Sequence, residues 1–123
     1  MEQNQNSKQY DLEERTFQFA KNVALMTKKL PKNISNLEYG KQVIRASGSI
    51  GANYIEANEA LSKKDFVMRI KISRKEVKES AFWLRLINET NDLEFALAKE
   101  VKALFNEAIE LKKIFSAILI KSK

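Results

Sequence analysis

The chain has 123 residues, 44% apolar and 31% charged, with one proline, three glycines and neither cysteine nor histidine. One helical domain is expected, while disulfide frameworks, thiolate metal sites, His-dependent triads and the Glu-x-x-His iron motif are excluded. With 22 basic against 16 acidic residues, the net charge of +6 permits a polyanionic partner without requiring one.

The first ten residues, MEQNQNSKQY, are polar. They read as a flexible tail over 1–10, and without an apolar h-region they predict a cytoplasmic location. Asp11 and Glu14 stand at capping-box spacing, which places the first helix at about 12–30. Its apolar face is Leu12, Thr16, Phe19, Val23, Met26 and Leu30, with Phe17 and Ala24 beside it, and Pro31 stops it.

Ser35 and Glu38 repeat the capping pattern and predict a second helix over about 36–61. One stripe of it carries Leu37, Gly40, Ile44, Ser47, Gly48, Gly51, Tyr54, Ile55 and Asn58. Three helical glycines cost roughly 1 kcal/mol each relative to alanine, so something they permit must offset the loss. The natural candidate is close approach of neighbouring helices at Gly48 and Gly51. The competing expectation is a break or a ligand-approach site at Gly48-Ser49-Ile50-Gly51, although that spacing matches neither phosphate-loop pattern.

Ser62 with Asp65 opens a third helix over about 63–90, whose core stripe is Phe66, Ile70, Val77, Leu84 and Ile87, with the small Ser73 and Ser80 between. Asn91 or Asp92 is expected to cap a fourth helix over about 92–121. Its stripe runs through Leu93, Leu97, Val101, Leu104, Phe105, Ala108, Leu111, Phe115, Ile118 and Leu119. Connections of a few residues force neighbours antiparallel, so the fold class is all-α, an up-down-up-down antiparallel four-helix bundle over 11–121. The longest apolar-leaning run, Ile114–Ile120, includes Ser116 and is far too short for a membrane span, so no membrane partner is expected.

The third helix carries a second apolar set, Met68, Ile72, Phe82, Trp83 and Leu86, and the fourth adds Phe95, Ile109 and Ile120 off its main stripe. A contiguous exposed patch with Trp and Phe marks an interface, so self-association is expected; alternatively these side chains complete the core. No cofactor is called for. The carboxylate pairs Glu56/Glu59, Glu76/Glu79 and Glu107/Glu110 offer oxygen ligands in principle, but fall mostly on solvated faces.

The third helix also concentrates charge: eight basic residues in 62–90 against four acidic ones, +4 of the total +6. All eight except Arg69 fall within an arc of about 120° at 100° per residue. Lys71/Lys75 and Arg74/Lys78 are like charges at i, i+4, which a phosphate backbone along the arc would neutralise. Lys64, Lys71, Arg74, Lys75, Lys78 and Arg85 are therefore the candidate nucleic-acid contacts. The alternative is a solvated face of ordinary ion pairs. Phe82 and Trp83 fall nearer the apolar side, which argues against base stacking.

Gln42-Val43-Ile44-Arg45-Ala46 followed by Ser49-Ile50-Gly51-Ala52-Asn53-Tyr54-Ile55-Glu56-Ala57 resembles the Q-[IL]-x-R-A…S-I-P-A-N-I-A-E-G signature of a family of bacterial four-helix-bundle proteins, the 23S rRNA intervening-sequence proteins. Leu30-Pro31 and Glu38-Tyr39-Gly40 match as well. Gly51 stands where that family often has proline, and Ala57 where it often has glycine. The resemblance implies a four-helix bundle assembling into a ring-like homopentamer without enzymatic activity. It extends to the accessory proteins of diversity-generating retroelements, basic pentamers that partner a reverse transcriptase and RNA. No catalytic or ligand residue carries over; Arg45, Asn53 and Glu56 occupy motif positions and are expected to order the surface of the second helix.

Two functions compete. One is a non-enzymatic homo-oligomeric scaffold, pentameric by resemblance, that binds RNA or DNA through the basic arc. The other is a protein-interaction adaptor docking through Met68, Ile72, Trp83 and Leu86, with the basic arc maintaining solubility.

Overall fold

The structure, a computed structural model, describes the backbone of residues 3–123 and the side chains of residues 12–123. It contains four helices: α1 (Gln3–Thr27), α2 (Ile34–Asn58), α3 (Lys63–Thr90) and α4 (Phe95–Lys121). At 28 residues α3 is about 42 Å long. Short connections run the helices up, down, up and down. Their packing follows chain order: α2 with α3 most extensively, then α3 with α4 and α1 with α2, and least between α1 and α4.

The helix boundaries follow from local chemistry. Helix α1 is drawn through Asp11, ahead of the expected start at the Asp11–Glu14 box; the cap itself and the expected tail over 1–10 fall among residues whose side chains lie outside the described ones. Pro31 has no N–H to continue a helix, and the chain leaves α1 in a turn where Lys29 and Leu30 donate to the carbonyls of Met26 and Thr27. The cap of α2 is Asn33, not Ser35: the Asn33 side chain accepts from the Asn36 N–H at 2.8 Å. Ser62 caps α3 as expected, accepting from the Asp65 N–H at 3.1 Å. Glu94 caps α4, not Asn91 or Asp92. Asn91 is instead tied to Asn36 by a reciprocal amide pair, each Nδ2 donating to the other's Oδ1 at 2.8 Å. The remaining donors of both amides reach the Pro31 and Ile87 carbonyls, which fixes the α1–α2 loop to the end of α3.

The core draws on all four helices. Phe19, Val23 and Met26 of α1 meet Val43, Ile50 and Tyr54 of α2, Ile70, Val77, Leu84 and Ile87 of α3, and Val101, Leu111 and Phe115 of α4. Tyr54 meets Phe115 edge to face at 5.8 Å. The expected faces of α1, α3 and α4 agree with this burial, but the stripe of α2 agrees only in part, at the buried Gly40, Ser47 and Tyr54. Val43, Ala46, Ile50 and Ala57 face the core, whereas Leu37, Ile44, Gly48 and Ile55 face outward. Two apolar sets about 100° apart run along this helix, and periodicity alone does not choose between them.

The glycines divide as well. A Cβ on Gly51 would lie 2.8 Å from Thr16 Oγ1 and 3.3 Å from Thr16 Cβ, so this glycine admits α1 at close range. A Cβ on Gly48 would meet nothing within 4 Å, so the expected packing role fails there. The helix continues unbroken through both. The small residues Ala46, Ser47, Ser73 and Ser80 are all fully buried, and the Ser73 hydroxyl donates to the Ile50 carbonyl across the α2–α3 seam at 2.9 Å.

Candidate nucleic-acid interface

Helix α3 has a flank on each neighbour and a crest facing solvent, and its charges sort accordingly. On the α2 flank, Arg45 reaches across to Glu79 and to Glu76, the latter at 3.5 Å, and the Arg69 guanidinium donates to Asn53 Oδ1 at 3.0 Å. The motif residues Arg45 and Asn53 thus tie α2 to α3, whereas Glu56 is exposed. On the α4 flank, Arg74 is half-buried and points its Nη1 at Ser116 Oγ, 3.5 Å away.

The crest holds Lys64, Lys71, Lys75, Lys78 and Arg85, all exposed. Arg85 pairs with Glu89 one turn on, at 2.9 Å. Lys64, Lys71, Lys75 and Lys78 make no ion pair among the described residues. Arg45 draws Glu76 and Glu79 toward α2 and Arg85 engages Glu89, so Lys64, Lys71, Lys75 and Lys78 are left without an ion-pair partner among the described residues. This separation needs three dimensions: by count Glu76 and Glu79 balance two of the lysines, but in space they do not face them.

The expected apolar patch on α3 also divides. Ile72, Trp83 and Leu86 are half-buried, and Trp83 packs on its own core with its ring 5.9 Å from Tyr39. Its buried Nε1 has no hydrogen-bond partner. Met68 and Phe82 are exposed, at 47% and 57%. Phe82 is exposed on the crest among the lysines, where a count of 100° per residue also puts it, and not nearer the apolar side as expected; its ring is edge to face on Trp83 at 5.1 Å and 79°. Adjacent residues on a helix are about 100° apart, so Phe82 and Trp83 part company at the boundary between crest and flank.

A further exposed apolar strip, on the side of α2 expected to pack, is Leu37, Ile44 and Ile55 on its outer face, with the open Gly48 between them. At its start a groove of about 570 Å³ is lined by Leu30, Ile34, Leu37, Gly40 and Ile44, with Lys28, Lys32 and Lys41 at its rim. Two of the three carboxylate pairs are engaged, Glu76/Glu79 with Arg45, Glu107 with Arg15 in a bidentate bridge at 2.6 and 2.9 Å and Glu110 with Lys113 at 3.3 Å, whereas Glu56 and Glu59 are exposed. Among the described residues no group of three or more acidic side chains is disposed to hold a metal ion, and no helix is long and apolar enough to cross a membrane.

Comparisons with known proteins agree with this architecture. No curated protein matches the chain. A solved structure of a protein of unknown function from the S23 ribosomal protein family of Bacteroides thetaiotaomicron VPI-5482 is similar at 26% identity and a TM-score of 0.75, the match covering 87% of this chain and 96% of that one. The family model described as 23S rRNA-intervening sequence protein matches residues 8–117, nearly the whole bundle. That match spans most of the chain, and the chain belongs to the 23S rRNA-intervening sequence protein family.

Proposed function

We propose that this protein is a non-enzymatic, cytoplasmic, self-associating helical scaffold, a homopentamer by its resemblance, that holds RNA or DNA on the crest of α3. The observation that carries the nucleic-acid reading is the set of four lysines, Lys64, Lys71, Lys75 and Lys78, exposed along one line without an acidic partner among the described residues. Lys71, Lys75 and Lys78 are about one turn apart, roughly 5–6 Å along the axis, and Lys64 lies two turns before them, so each can neutralise a phosphate and release its counterion. Arg74 and Arg85 flank the line, but each is engaged, with Ser116 and Glu89 respectively, and contributes less.

Self-association is supported by the outward apolar strip of α2, Leu37, Ile44 and Ile55, which a lone bundle leaves in water. The same strip supports the second reading, an adaptor that docks another protein there without touching nucleic acid. Titration of labelled RNA and duplex DNA across a salt series decides between them. The nucleic-acid reading requires affinity that falls steeply with salt and a slope that flattens when Lys71, Lys75 and Lys78 become glutamine, by about 2 for a single strand or 3 for a duplex. Binding that ignores salt, or none at all, rejects it, and partners retained from lysate after nuclease treatment would favour the adaptor.

A further inference from the structure

The crest of α3 has one feature that phosphate neutralisation does not use. At 100° per residue Phe82 lies on the line of Lys64, within about 20° of Lys71 and Lys75 and about 40° of Lys78. Its ring is more than half exposed, so it adds little to the core. It is also held in place. Trp83 meets it edge to face at 5.1 Å, and Trp83 is itself fixed against Tyr39 and the buried cluster. A ring held this way loses little conformational freedom on binding.

A ring projecting from a basic crest is a poor match for a duplex. Paired bases have their faces covered by their neighbours, and the ring would be pressed against charged backbone. An unpaired base offers a free π-face, and stacking on an aromatic side chain is the recurring way single strands are held beside basic residues. The spacing suits such a strand: Lys78, Lys75 and Lys71 lie four, seven and eleven residues from Phe82, about 6, 10 and 16 Å along the axis. We propose that the crest of α3 is a single-strand site, in which a base stacks on Phe82 and the adjoining phosphates run along Lys78, Lys75 and Lys71. This rests on the nucleic-acid reading above and narrows it from any polyanionic nucleic acid to an unpaired strand.

The test uses the full chain and three labelled probes of equal length: oligo-uridylate, oligo-deoxythymidylate and a DNA duplex. Anisotropy titrations at low salt are paired with light scattering of each variant. Both single strands are expected to bind more tightly than the duplex, with a preference between them reporting whether the ribose matters. Phe82→Ala and Phe82→Leu should each weaken single-strand binding about tenfold, within the range that stacking on one ring supplies, while leaving duplex affinity and the salt slope unchanged. Phe82→Trp should restore it. Trp83 is the only tryptophan and touches the Phe82 ring, so its emission should respond to single strands and not to duplex. Phe82→Leu keeps the apolar bulk, so the test survives if the alanine variant folds poorly. Tighter duplex binding, or single-strand affinity indifferent to the leucine variant, overturns the single-strand assignment while salt-dependent, lysine-dependent binding leaves the broader reading intact. A change in assembly mass on replacing Phe82 makes the ring a contact between copies and also overturns it. Salt-insensitive binding, or none, by all three probes ends both.

Discussion

Two glycines one turn apart on α2 have opposite uses. Gly51 sits against Thr16, whose hydroxyl is fully buried and held by the Leu12 and Glu13 carbonyls, so an added methyl forces the seam apart. Gly51→Ala should cost about 1 kcal/mol net, overpacking outweighing the better helix propensity, and the cost should shrink in a Thr16→Ala background. Gly48→Ala, facing open space, should instead stabilise by about 0.5–1 kcal/mol. Urea midpoints at one protein concentration check both. Tyr54 supplies a pH signature. Burial raises its phenol above the ordinary value, the Glu13 carboxylate adds to the rise, and a hydrogen bond with Asn58 opposes it. An acid whose proton is held more tightly in the folded chain stabilises the fold fully below the unfolded value near 10, and that contribution is lost as pH climbs from there through the folded value. Stability should therefore decline above about pH 10, and the decline should be shallower in Tyr54→Phe, measured by urea unfolding across that range. Sequence identified both glycines as exceptional; which one touches a neighbour depended on the phase of α2.

Among the elements, starts were more legible than phases, and only where a single polar residue competed for the cap. Ser62 was unambiguous. Asn33 and Ser35 both offer a capping side chain two residues apart, and the chain uses Asn33, whose side chain accepts from the Asn36 N–H while its carbonyl accepts from the Leu37 N–H. Asn33→Ala should thus cost about 1 kcal/mol and Ser35→Ala little, read from thermal or urea unfolding. Asn91 was lost to the same kind of competition, since a long-range amide pair with Asn36 engages it more fully than a local cap would. The phases of α1, α3 and α4 were legible because each has one dominant apolar stripe. Helix α2 has two, and tertiary contact with α1 and α3 determined which turned inward.

For the whole molecule, that choice leaves one face apolar and another basic. The strip Leu37, Ile44 and Ile55 lies on the outside of α2, away from the α3 crest, so copies can associate through the first while nucleic acid occupies the second. Ile44→Glu, placed mid-strip where a charge would be desolvated, should shift the light-scattering mass toward the single chain, whereas Lys75→Gln on the crest should leave it unchanged. An assembly indifferent to Ile44→Glu would locate self-association elsewhere. By itself the sequence determined the number of helices, their antiparallel order, the inward faces of three of them and the concentration of positive charge on α3, because helical periodicity, turn chemistry and charge counts are local quantities. Only the tertiary structure decided which apolar side of α2 is buried, that Arg45 holds Glu76 and Glu79 away from the lysines, and that Trp83 packs against Tyr39 and the core while Phe82 stays exposed. These depend on which helix lies beside which, and that is settled by contacts between residues as much as 92 positions apart, as at Arg15 and Glu107, which a linear pattern does not encode.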